Sequence, residues 1–148
     1  MARRGSFVLG VAVCLAAIDV AHKALVESPE WAFHVRSGAW ELLAAALVIG
    51  CVVLTRVPSN AVVASAGLLA GGALGNLSSS LFWDSGIPNP ILVGESTIVA
   101  FNLADVFTLA GICSLMAALI VVTVRHREQL LPPREVARRV WRRLVSSA

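Results

Sequence analysis

Charge is scarce in this 148-residue chain: Lys, Arg, Asp and Glu make up 14% of it, against 57% hydrophobic residues. A soluble domain carries roughly 25% charged residues, so a water-exposed globule is excluded. Cysteine is scarce as well. Cys14, Cys51 and Cys113 stand apart in apolar stretches, with no CxxC or Cys/His spacing. That excludes a disulfide framework and a cysteine metal site and leaves three small buried hydrophobes; no metal or cofactor is expected. A leader cleavage site is also missing. Two arginines followed by an apolar run over Met1–Ile18 have the outline of a signal peptide, but the run continues past Asp19 to Val26 with no well-placed A-x-A. Val13, ahead of Cys14, is too large for a lipoprotein box. The segment is expected to stay as the first helix.

What is there is apolar length. A spanning helix needs roughly 20 mostly apolar residues, and four such stretches fit, at about 6–26, 39–57, 60–81 and 101–124. The expected fold is all-α: a four-helix transmembrane bundle in one domain over 1–148, with a basic tail from 125 to 148. Apart from Lys23 and Arg36, every Lys and Arg lies at the N-terminus (Arg3, Arg4), in the second connection (Arg56) or after Val124. The positive-inside rule then puts both termini in the cytoplasm and the first and third connections outside. Sidedness accounts for the net charge of +3, so no nucleic-acid partner is expected; membrane lipids are. Val136, Val140 and Leu144 form a stripe on an otherwise arginine-lined tail, which suits a C-terminal amphipathic helix on an anionic surface or, alternatively, a solvated basic tail.

The second connection is short, with Pro58 to stop one helix and Ser59 or Asn60 to cap the next. The third, about Phe82 to Ala100, holds Gly86, Pro88, Pro90 and Gly94. Prolines at alternate positions forbid a helix and favour extended chain or turns, and Phe82 and Trp83 suit an interfacial position. On the third helix Gly67, Gly71 and Gly75 recur every four residues, a groove that lets another helix approach closely.

Polar groups break into these apolar stretches at AIDVAHK (17–23), GGALGNLSSS (71–80) and FNLAD (101–105). With helices one and three running outward and helix four inward, Asp19 lies about 10 Å below the outer end of its helix and Asp105, as fifth residue of helix four, about 6 Å below its start. Asn76 sits near the outer end of helix three. Three polar side chains from three helices thus share one outer layer, where each is a functional candidate. Structural readings compete: Asp19 and Lys23 are i,i+4 and can neutralise each other, with Lys23 snorkelling to the interface, and Asn76 and Asn102 can be interhelical hydrogen-bond glue. A carboxylate at membrane depth costs about 2.5–3.5 kcal/mol on insertion scales, and Asp105 has no basic neighbour in sequence.

From about Ile18 to Gly111 these strings resemble lipoprotein signal peptidase (signal peptidase II), a bacterial four-helix intramembrane aspartyl protease. Asp19 and Lys23 match its first-helix D-x-x-x-K element, 34–39 (HVRSGA) its outer segment ending N-x-G-A, 71–76 its GGALGN and 101–105 its FNxAD. The resemblance implies the bacterial inner membrane, removal of signal peptides from lipid-modified prolipoproteins, catalysis by an aspartate pair including Asp105, and Asp19, Lys23, Asn76 and Asn102 as substrate-binding positions. The departures fall on the chemistry. The family continues GNxxDR, where this chain has Ser79 and Ser80 in place of acid and arginine; its G-x-V-x-D-F segment, source of the second catalytic aspartate, falls on 86–91 (GIPNPI), with Asn89 nearest that aspartate. Its outer asparagine falls on Arg36 or Ser37.

Aspartyl proteolysis needs two carboxylates sharing a proton, one activating water and the other donating to the carbonyl oxygen. An amide at Asn89 can donate a hydrogen bond but cannot take a proton from water. Asp84 is the other carboxylate in the region and would need a shifted loop to reach inward. Three readings follow: a pseudo-peptidase that binds lipid or signal helices without cleaving; an active, divergent peptidase using Asp105 with Asp84 or with a partner the sequence does not reveal; and a small membrane scaffold or transport accessory unrelated to proteolysis.

Overall fold

The computed structural model describes residues 2–94 and 99–129 and, singly, Glu135, Arg142 and Val145. Helix α1 spans Ala2–Leu25, α2 Gly38–Val53, α3 Asn60–Phe82 and α4 Leu103–Arg125. With short extensions all four are long and apolar enough to cross a membrane, and the protein is a multi-pass membrane bundle. Helix α1 begins four residues before the expected span, because its basic first turn continues the helix. The expected C-terminal amphipathic helix lies outside the described residues.

Local chemistry sets the boundaries. The Ser37 hydroxyl accepts from Trp40 N at 3.4 Å to start α2, and the Ser59 hydroxyl accepts from Val62 N at 3.4 Å to start α3; such N-caps contribute about 1 kcal/mol each. After Val53 the chain tightens into a 3-10 turn over Leu54–Arg56 before Pro58 ends it. Asn102 starts α4 through a full capping box: its Oδ1 accepts from Asp105 N at 3.0 Å, and the Asp105 carboxylate accepts from Asn102 N at 3.2 Å. Helix α4 thus opens at Leu103, which moves Asp105 from the fifth helical residue to the third.

Helix α3 is the axis of the bundle: 67% of its spanning window is buried, against 17% for α2 and α4. The groove read from the glycines is present and α1 fills it. Gly67 faces Val11, Gly71 faces Leu15 and Gly75 faces Asp19; a Cβ on Gly71 would lie 2.7 Å from the Leu15 Cβ. A second close approach went unread: Gly72 abuts Thr108 and the Ala104 carbonyl, and Gly111 abuts the Leu69 backbone, so α4 packs on the adjoining face. Helix α2 leans on α3, while α4 packs on α3 and α1. One side of α3 is therefore closed and the other partly open.

Among its described residues the third connection turns at Asp84–Ser85 and then runs without helix, as its prolines favour, adding a short β pairing to the all-α bundle. Strand β1 (Ile91–Val93) pairs antiparallel with β2 (Val99–Phe101), Ile91 opposite Phe101. Upstream, Ile87 and His34 exchange backbone hydrogen bonds at 3.0 and 3.1 Å, tying this loop to the first connection. Gly86 permits that bridge. Its φ is +100°, and a Cβ there would lie 2.8 Å from the His34 carbonyl carbon, so both backbone shape and space demand glycine.

Candidate active site

The three polar strings meet at the end of the bundle where α1 and α3 finish and α4 starts. Two linked clusters result, one closed and one facing a cleft.

The closed cluster centres on Lys23. Its Nζ donates to Asp19 Oδ2 at 2.6 Å, to Ser79 Oγ at 2.9 Å and to Asn76 Oδ1 at 3.0 Å, using all three ammonium protons. The Asp19 and Lys23 side chains are both 0% exposed. Lys23 is thus held inside the bundle and does not reach for the interface, because Ser79 and Asn76 supply from α3 the acceptors that water would supply outside. Asp19 also bonds to a second helix, its Oδ1 accepting from Ala104 N at 2.8 Å. A carboxylate on α1 therefore caps the first turn of α4, where the helix dipole favours negative charge. Breaking a buried pair of this kind costs about 3–5 kcal/mol.

Asn76 joins the clusters. Its carbonyl side takes Lys23, and its Nδ2 donates to Asp105 Oδ1 at 2.8 Å. The amide is polarised from both ends, and Asp105 is fixed in orientation by Asn76 and by the backbone N–H of Asn102. Asp105 is half-buried and lines a cleft of about 340 Å³ between α2, α3 and α4. Leu43, Ala44, Leu47 and Ala73 form its apolar wall; Asn76, Asp105, Thr108 and Arg36 are its polar groups. The Arg36 guanidinium lies 5.2 Å from the centre of the Trp40 ring, within cation–π range, which parks a positive charge across the cleft from Asp105. Ser80, where the resemblance expects arginine, donates to Glu41 Oε1 at 2.7 Å and ties the tops of α3 and α2 together.

Asn89 is 2% exposed and sits behind Asn102. Asn102 Nδ2 donates to Asn89 Oδ1 at 2.6 Å and lies 3.4 Å from the Pro88 carbonyl, while Asn89 Nδ2 lies 2.7 Å from His34 Nδ1. Asp105 and Asn89 thus flank one side chain, Asn102. Asp84 is elsewhere: it is exposed in the turn after α3 and is not part of the cleft lining. Of the seven residues singled out from sequence, six share this network and Asp84 stays outside it. Sequence reasoning missed three participants. Ser79 was seen only as a lost acid, yet it is a Lys23 acceptor, and a serine four residues past Gly75 can bond back to that carbonyl, as it does at 2.8 Å. His34 and Arg36 lie in the segment that the resemblance marks as the outer motif, but the pairing of His34 with Ile87 is tertiary and carries no local signal.

Chemically, the cleft offers one ionisable acceptor, one cation and an apolar wall of membrane-facing helices. It suits a ligand with an amide or ester polar segment and an apolar chain.

A bundle of four helices long and apolar enough to cross a membrane, with a half-buried aspartate lining a cleft between three of them, defines the class: a multi-pass membrane protein with a polar site at one end of its bundle. Residues 28–121, more than half of the chain, match the family model Peptidase_A8, Signal peptidase (SPase) II, and the chain belongs to the signal peptidase II family. Its fold is similar to that of a bacterial membrane enzyme solved by the in meso method at 2.3 Å resolution, with a TM-score of 0.64 over 86% of this chain and 95% of that one, at 17% identity. No curated protein sequence matches the chain.

Proposed function

We propose that this protein receives the lipid-modified segment of a prolipoprotein, or a similar acylated helix, in the cleft at the outer face of a bacterial cytoplasmic membrane, and holds it without cutting it. In this reading both termini lie in the cytoplasm. The observation that carries it lies on the far side of Asn102 from Asp105. There stands Asn89, the residue nearest the place of the family's second aspartate, with its amide committed on both sides, to Asn102 and to His34. An amide in that setting has no proton to exchange with a water nucleophile, so Asp105 acts as a hydrogen-bond acceptor for the bound segment. Leu43, Ala44, Leu47 and Ala73 take its acyl portion, and Arg36 meets a carbonyl or phosphate oxygen.

The test is a gel-shift cleavage assay on a diacylglyceryl-modified prolipoprotein, with a complete peptidase of the family run in parallel. The protein is expected to leave the substrate intact and to co-purify with it, and Asp105→Asn to reduce co-purification. Asn89→Asp restores a carboxylate on the far side of Asn102 and is expected to produce slow cleavage that a second change, Asp105→Asn, abolishes. Cleavage by the unaltered protein, lost in both Asp105→Asn and Asp84→Asn, would replace this reading with an active peptidase using a relocated pair.

A further inference from the structure

A second cavity lies at the opposite end of the bundle. About 620 Å³ in volume, it is lined by Arg3, Arg4, Phe7, Asn60, Val63 and Ala64, between the start of α1 and the start of α3. We infer that this cavity binds one anionic glycerophospholipid, with the phosphate between Arg3 and Arg4 and an acyl chain along Phe7, Val63 and Ala64.

Three observations converge. The first is a placed cation. Arg4 Nη1 donates to the Val57 carbonyl at 3.2 Å and Nη2 lies 3.5 Å from Asn60 Oδ1. Both partners are neutral, so they fix the guanidinium without cancelling its charge, and a planar guanidinium held this way presents remaining donors in the fork geometry that suits phosphate. The second is the absence of a competing anion: no carboxylate is among the lining residues, and the first turns of α1 and α3 contain no acid among the described residues. The positive ends of both helix dipoles point the same way, adding to the field. The third is the wall. Phe7 is 54% exposed on a membrane-spanning helix, so the apolar side of the cavity runs directly into lipid. A free phosphate would use only the arginines; a phospholipid uses the whole cavity.

The orientation proposed above places this site in the inner leaflet, where anionic lipids give positive segments about 1 kcal/mol per Lys or Arg. The binding inference itself does not depend on that orientation or on the cleft. It is tested on the full chain in neutral detergent micelles, which have no sides, by thermal unfolding and by native mass spectrometry. The probes are dioleoylphosphatidylglycerol, dioleoylphosphatidylcholine and inorganic phosphate. Phosphatidylglycerol is expected to raise the unfolding temperature and to appear as a one-lipid adduct, whereas phosphatidylcholine and phosphate do neither. Arg3→Gln, which removes no hydrogen bond of Arg4, should weaken the adduct about fivefold, and Arg3→Gln with Arg4→Gln further, at about the same factor per arginine. Arg127→Gln, which removes a charge after α4, should leave it unchanged. An equal response to the two lipids, an adduct that survives the double change, or an equal loss in Arg127→Gln would overturn the inference. So would stabilisation by phosphate alone, which would mark a simple anion site.

Discussion

Asp19 and Asp105 lie at the same helix terminus and are put to opposite uses. Asp19, from α1, closes on Lys23 and the Ala104 N–H and is fully enclosed. Asp105, from α4 itself, closes the capping box with one oxygen, accepts from Asn76 with the other, and still faces the cleft. The first is paired with a cation; the second is held by neutral amides. A carboxylate neutralised by a buried ammonium has its lone pairs committed to holding helices together, whereas one held by amides keeps its charge available to whatever enters. The difference lies in what packs against each oxygen, and both residues belong to one hydrogen-bonded network.

That contrast can be broken at graded points. The largest effect is expected from Asp19→Ala, which strands the Lys23 ammonium inside the bundle and uncaps α4; a loss of about 3–5 kcal/mol, read by unfolding in detergent, should leave little folded protein. A stability near that of the unaltered chain would show that Lys23 finds water. Gly71→Leu comes next, since a side chain there meets Leu15 in the α1–α3 seam; overpacking of this kind costs about 1–3 kcal/mol, and an unchanged folded yield would deny the close approach. Asn102→Ala removes the cap of α4 and should cost about 1 kcal/mol while also releasing Asn89. Asp105→Asn keeps one acceptor oxygen for the capping box but turns its NH2 toward the Asn76 Nδ2 donor, so a loss of about 1 kcal/mol is expected, and it should reduce substrate capture more than any change in the closed cluster that leaves the fold intact. His34→Ala is expected to be smallest, about 0.5 kcal/mol, because it removes the partner of the Asn89 amide at an exposed position where water can take the place of the imidazole; a loss of about 2 kcal/mol would mean that the buried Asn89 amide is left without a partner.

Much of this arrangement was readable. The four spans were set by apolar length, the α1–α3 seam by glycines every four residues, and the shared depth of Asp19, Asn76 and Asp105 by helix direction. Asn102 with Asp105 three residues on is a capping-box signature, and taking the apolar Phe101 as the helix start hid it. The prolines upstream of Gly94 point to extended chain or turns, and the pairing of the apolar runs 91–93 and 99–101 into a hairpin is set by tertiary context. The Asp19–Lys23 pair is legible as i,i+4 neighbours, whereas the burial of Lys23 is not, because its further acceptors, Ser79 and Asn76, arrive from another helix. His34 and Arg36 lie in a connection whose course is set only when Gly86 lets the third connection lie against it. Pairing at that distance is decided by the folded backbone and leaves no periodicity in the chain.

The amide chain behind the cleft also has a direction. Asn102 must turn its oxygen toward the first turn of α4, so its nitrogen must face Asn89; Asn89 must then accept on that side and donate on the other. His34 is left with one compatible form, a lone pair on Nδ1 and the proton on Nε2. The capped start of α4 thus dictates the tautomer of an imidazole at the surface. A molecule arriving at that imidazole from outside meets a hydrogen-bond donor.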